Sequence, residues 1–207
     1  MAADVKADAG LILERAPGAR AVRQMVEAAG DIPLGVSVKD ADAEKANELA
    51  GSGCDFLVFG IEAAAAILRK EDAGRFLMIE RSLDQGLVRA VNSLDIDGVF
   101  ISGAGGGSLL AVENLLVYRR FVELLEKPVM ITLPSLVTSA ELAILWQLGI
   151  DGVVAAPPQS VESLAKLKKM IGDLPGGARG RRAKVSAMLP RQSAAVDTDE
   201  DEEEEEV

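Results

Sequence analysis

The sequence predicts an α/β fold built on a parallel sheet with helices outside it. Three observations carry this expectation. Seven short runs of aliphatic and β-branched residues recur at roughly 20–30-residue intervals, and a helix-like segment follows each one. The runs are continuous rather than alternating, which is how parallel strands read when both faces are covered. The spacing also leaves room for the crossover of about a dozen residues that parallel neighbours require.

The strand-like runs are Gly10–Leu13, Leu34–Val38, Phe56–Phe59, Phe76–Ile79, Gly98–Ser102, Val129–Leu133 and Gly152–Ala155. Pro33 and Pro128 stand at strand entrances, where a missing amide does least harm. Asp40 is placed to cap a helix through Glu44–Ala50, which Gly51-Ser52-Gly53 then ends. Ser82-Leu83-Asp84-Gln85 and Thr138-Ser139-Ala140-Glu141 both have capping-box spacing. Val161, Leu164, Leu167 and Ile171 recur at helical spacing in the last helix. The helix Leu109–Leu125 carries more apolar residues than one buried face needs. It is therefore expected to be covered on a second side, by an oligomer partner, by neighbouring helices or by the tail.

Composition narrows the chemistry. An apolar fraction of 49% in 207 residues supports a sizeable core. Mean hydropathy is +0.20, yet no stretch approaches the ~18–20 apolar residues of a membrane helix. No secretory signal is evident, so a cytoplasmic, membrane-free protein is expected. There is no histidine, which removes Ser-His-Asp triads, histidine-ligated metals and imidazole shuttles. The single Cys54 forms no internal disulfide or cysteine zinc cluster and reads as a small core residue. No metal site and no particular cofactor is indicated. Acid–base work falls to Asp, Glu, Lys, the lone Tyr118 or a cofactor.

The net charge is −11, and the body alone, residues 1–175, carries 24 acidic against 17 basic side chains. That balance argues against a nucleic-acid partner. Organisation changes after Pro175. Gly176–Arg182 is rich in glycine and arginine, and Asp197–Glu206 is almost all carboxylate. Residues 1–175 are thus expected to form the folded domain and 176–207 a disordered, polyacidic tail.

Weak internal similarity favours a barrel over an open sheet. Glu48–Phe59, Val91–Ile101 and Leu145–Ala155 each run from a helix end through a turn and an aspartate into a strand. Here the chain resembles the aldolase-type, phosphate-binding TIM barrels. Their late repeats often end a helix with Gly-Ala-Asp-Gly before a strand of valines. Leu148-Gly149-Ile150-Asp151-Gly152-Val153-Val154 is similar to that pattern, and Ile96-Asp97-Gly98-Val99 echoes it. The resemblance spans about residues 9–172 as architecture and implies a (β/α)8-like barrel. Two departures stand out. Seven βα units are recognisable where a complete barrel has eight. Ala155-Ala156-Pro157-Pro158 also replaces the family's phosphate-holding Gly-Ser pair, and proline has no amide to donate.

In such a barrel, function sits at the C-terminal strand ends. Lys39, directly after the second strand, is a candidate Schiff-base nucleophile or electrostatic clamp, and an exposed lysine is the plainer reading. Glu80 is the best general-base candidate, and Arg81 is placed to hold a carboxylate or phosphate, against an ordinary rim ion pair. Glu14 and Arg15 have the same ambiguity. The loop Gly103-Ala104-Gly105-Gly106-Gly107-Ser108 offers several amides to an anion, unless it is simply flexible. The expected function is a lyase or isomerase acting on a small anionic metabolite. The rival is a non-catalytic binding or assembly module derived from a barrel.

Overall fold

Each apolar run of the sequence forms a strand in the computed structural model, which describes residues 7–13, 18–38, 43–69, 72–102, 109–134, 137–157 and 159–174. The strands are β1 (Gly10–Ile12), β2 (Leu34–Ser37), β3 (Phe56–Gly60), β4 (Gly74–Glu80), β5 (Gly98–Ser102), β6 (Val129–Leu133) and β7 (Gly152–Ala155). They pair in parallel, in chain order, so that β1 and β7 are the edges of a single curled sheet. Outside it lie α1 (Ala19–Ala29), α2 (Ala43–Ala50), α3 (Gln85–Ala90), α4 (Val112–Leu124), α5 (Ser139–Leu148) and α6 (Val161–Gly172). A short 3-10 turn, Ala65–Arg69, serves as the crossover between β3 and β4.

The helix signals hold with one correction. Thr138 accepts the Glu141 amide at 3.2 Å while Glu141 accepts the Thr138 amide at 2.7 Å, a complete capping box. Gly149 ends the same helix at φ 98°, a left-handed position that suits glycine. At α3, however, the cap is Asp84, whose carboxylate accepts the Gly86 amide at 2.7 Å. Ser82 lies a turn too early, because the chain leaves β4 through a turn at Arg81 and Ser82 before the helix starts. The Asp40 cap falls outside the described residues.

The internal similarity has a structural cause. Asp55, Asp97 and Asp151 stand at the entrances of β3, β5 and β7. Their carboxylates accept amides at the start of the preceding strands: Leu34 at 2.7 Å, Arg75 at 2.7 Å and Val129 at 3.0 Å. The backbone amide of each aspartate donates in return to the carbonyl of that same residue, at 2.9, 2.8 and 2.9 Å. These three reciprocal brackets bind the sheet two strands at a time. Asp97→Ala should lower stability by about 1–3 kcal/mol, because it strips a partner from the Arg75 amide. Asp97→Asn, which keeps an acceptor, should cost less. Urea unfolding midpoints at constant slope would measure both.

Alternation along the strands sorts two layers. Val36, Leu57, Leu77, Val99, Ile101 and Ile131 point outward into one core with the helix residues Val22, Leu49, Val88, Tyr118, Phe121 and Leu145. Cys54 belongs to this core, as expected, and burial pushes its thiol pKa up. The inner layer pairs bulky residues with glycines. A Cβ on Gly98 would lie 2.7 Å from the Phe76 ring, and one on Gly152 would lie 2.9 Å from Met130. Phe56 and Phe76 meet edge to face at 5.4 Å.

Among the described residues, α4 keeps one side open. Its outer side carries Val112 and Leu116, 72% and 68% exposed, and Leu109 just before the helix is 68% exposed. Neighbouring helices α3 and α5 cover much of the remaining apolar surface but leave these three side chains open. The stripe through Asn114, Tyr118 and Phe121 is fully buried, and Leu115, Val117, Val122 and Leu124 beside it are half-buried against the core.

Candidate functional site

The inner layer changes character towards the C-terminal ends of the strands. Phe76, Met78 and Glu80 share one face of β4, and Gly98, Phe100 and Ser102 share the matching face of β5. Glu80 is registered directly opposite Ser102. On β6, the pairing of Ile101 with Ile131 brings Thr132 next in line beside Ser102. Glu80, Ser102 and Thr132 therefore form a polar row across three adjacent strands, above an apolar floor of Phe76, Phe100 and Met130. Neighbouring strands are about 4.8 Å apart, so the three side chains fall within reach of one small ligand. Ser37 adds a third hydroxyl at the end of β2.

Thr132 is not among the residues that the sequence singles out. Val129-Met130-Ile131-Thr132-Leu133 reads there as one apolar run. The available signal is the period of two, which sends Thr132 inward with Met130.

Glu80 and Arg81 are adjacent in sequence but are not brought to the same side. The Arg81 guanidinium turns to the helix layer and reaches Glu113 at the head of α4, at 3.2 Å. Its carbonyl accepts from Arg120 at 2.6 Å, which ties the end of β4 to α4. Arg120 in turn stacks on the Phe121 ring at 4.8 Å. Lys39, Gly103, Gly105, Gly106, Gly107 and Ser108 lie outside the described residues, as do Glu14 and Arg15.

Next to Arg81, the Tyr118 hydroxyl is fully buried and finds no hydrogen-bond partner among the described residues. Burial raises its pKa, and the nearby Arg81 charge pulls weakly the other way. A buried hydroxyl without a partner lowers stability. Tyr118→Phe should therefore leave the unfolding free energy unchanged or raise it by about 1 kcal/mol. A loss larger than that in thermal or urea unfolding would mean the hydroxyl bonds something in solution.

A cavity of about 370 Å³ opens at the ends of β6 and β7, where Pro134, Thr138, Glu141, Gln159, Ser163 and Lys166 contribute to its wall. The Thr138 hydroxyl, and secondarily its amide, hold the Glu141 carboxyl below the usual carboxylate range. Ser160 caps α6 by accepting the Ser163 amide at 3.1 Å. The larger cavity, about 540 Å³ and mostly apolar, lies elsewhere, along the seam between β1 and β7. Among the described residues no group of three or more Cys, Asp or Glu side chains is arranged to hold a metal ion. No helix among them is long and apolar enough to cross a membrane.

No family model matches the chain, and no curated protein matches it. Several solved structures are similar to it. KGPDC from Streptococcus mutans superposes with a TM-score of 0.65 at 14% identity, covering 84% of this chain and 91% of that one. The 3-hexulose-6-phosphate synthase of Salmonella typhimurium gives 0.64 at 14% identity, covering 82% and 90%. A FabK mutant from Thermotoga maritima gives 0.57 at 19% identity over 73% of this chain, which spans only 54% of that longer one. At these identities the likeness carries the fold alone. The chain has a TIM-barrel fold, built among the described residues from seven strands and open along one seam.

Proposed function

We propose that the C-terminal mouth of this barrel binds a small anionic metabolite and performs lyase or isomerase chemistry on it. The observation that carries this reading is the polar row of Glu80, Ser102 and Thr132 above the aromatic floor. A carboxylate with two hydroxyls beyond it on the next two strands suits proton abstraction beside a carbonyl, with the hydroxyls orienting the substrate. Lys39 follows β2 by two residues and would supply positive charge or a nucleophilic amine. Gly103–Gly107 follows Ser102 directly, so its amides would hold the anion. Arg81 would act from behind, by fixing the β4 end against α4. The similar structures include KGPDC in complex with D-ribose 5-phosphate, which favours a phosphorylated sugar as the first ligand class to try.

The full chain should therefore be screened by thermal shift against sugar phosphates and small carboxylates. A ligand at a hundredfold excess over its dissociation constant stabilises the native state by about 2.7 kcal/mol. The shift should survive in Glu80→Gln, while any turnover falls by about 10²–10⁴. Lys39→Ala should lose both. An unshifted melting curve with every anion, from a folded sample, would sink the proposal.

Exposed apolar side chains favour a second reading, of assembly. Leu109, Val112 and Leu116 around α4 and Leu87 on α3 are large and left open to solvent. They favour a homo-oligomer through the Leu109–Leu125 region, which serves an enzyme or a binding module equally well. Light scattering on Leu116→Glu against the unmodified chain would test it.

A further inference from the structure

The open side of α4 is ordered as well as apolar. Val112, Leu116, Arg119 and Glu123 follow one another at steps of four, three and four residues, the spacing of a seam that meets another helix. Val112, Leu116 and Leu109 are the three most exposed large apolar side chains among the described residues, and all three lie here. Charges of opposite sign stand at the two ends of this apolar stretch. Glu113 is in the first turn and well exposed, and Arg119 is half-exposed in the turn after Leu116.

We propose that this face is covered by the same face of a second copy, with the two α4 helices antiparallel across a two-fold axis level with Asn114. The inference rests on the assembly reading above and gives it a partner and a register. A two-fold contact is self-complementary, so each residue must suit the residue it meets in both directions. With the axis at that level, Val112 of one copy packs on the partner's Leu116, and Leu116 packs on the partner's Val112. Leu109 then reaches the aliphatic stem of the partner's Arg119, whose charged end stays in water.

The charges fit the same register. Glu113 and Arg119 lie on opposite sides of the axis, so the carboxylate of each copy comes near the guanidinium of the other. Within the chain, Glu113 pairs with Arg81 at 3.2 Å and Arg119 with Glu123 at 2.8 Å. Both pairs are partly exposed, which leaves room for the partner's charge to join them. A two-fold with parallel helices would instead set each residue against its own counterpart. Arg119 would then face Arg119 and Glu123 would face Glu123, with like charges opposed. The antiparallel contact also braces the candidate mouth. Glu113 holds the Arg81 side chain and Arg120 holds its carbonyl, at the end of the strand that carries Glu80.

Sedimentation equilibrium on the full chain, over a concentration series, tests this. The unmodified chain should dimerise, and Leu116→Glu should weaken the dimer at least about thirtyfold. Arg119→Glu and Glu113→Arg should each weaken it by about tenfold or more. The double variant reverses the pair in both copies and should recover most of that loss. Val161→Glu, at an exposed apolar position on α6, should leave the dimer unchanged. Melting curves at a dilution where the unmodified chain is monomeric should nearly coincide for Arg119→Glu and the unmodified chain, so that its loss belongs to the contact. A monomer at every concentration, or a dimer indifferent to Leu116→Glu, would overturn this inference and the assembly reading together. A dimer that Leu116→Glu breaks but the charge-reversed double variant fails to restore would overturn the antiparallel register alone.

Discussion

Phe121→Ala should lower the unfolding free energy by about 3–5 kcal/mol, enough to unfold a large share of molecules at physiological temperature. The ring is completely buried between α4 and the sheet, beside Tyr118 and within the core that includes Ile101 and Ile131. Truncation removes its transfer free energy and leaves a cavity that strands on one side and helices on the other can only partly close. It also removes the surface on which Arg120 lies. That guanidinium holds the Arg81 carbonyl, so the end of β4 loosens as well. Phe121→Leu should cost much less. For a domain of this size the alanine variant should melt lower by on the order of 10 °C, as read by calorimetry. A shift of a degree or two would mean that α4 is not packed tightly against the sheet.

Gly35→Ala should be nearly as damaging, for the opposite reason. A Cβ at Gly35 would overlap the ring of Phe56, which is itself packed against Phe76 and the backbone at Gly74. Adding one methyl to a closed inner layer costs about 1–3 kcal/mol, and more where the obstacle cannot turn aside. The edge-to-face contact with Phe76 at 5.4 Å opposes that turn, while the seam cavity that Phe56 lines gives its ring one direction in which to yield. The double variant Gly35→Ala/Phe56→Leu should therefore recover much of the loss, giving a coupling energy of about 1–3 kcal/mol in a double-mutant cycle. Additive losses would show that the glycine is not making room for the ring.

Most of the framework was legible in the sequence, because a parallel strand covered on both faces announces itself as an unbroken apolar run. The seven strands found among the described residues were legible in the same way, as a count. Two kinds of information were not. Partners distant in the chain leave little local trace: nothing around Asp97 says that its carboxylate meets the amide of Arg75, 22 residues earlier. Faces are also hard to assign where a run is uniformly apolar. Thr132 was hidden inside such a run, and Glu80 and Arg81 were grouped by adjacency although one belongs to the mouth and the other to the helix layer. On α4 the apolar content gave no indication that Val112 and Leu116 face outward.

The aspartate brackets bear on where this chain tolerates being cut. Each one joins an even strand to the odd strand after it, and among the described residues none spans from β3 to β4 or from β5 to β6. New termini opened between β3 and β4 would give two fragments that each keep every bracket intact, and reassembly would need only the β3–β4 ladder and the helix contacts across it. A cut between β2 and β3 or between β4 and β5 would separate a carboxylate from the amide it holds. The protein is in this sense a chain of couplets, and circular permutants or split reporters built from it should respect the couplets rather than the single βα repeat.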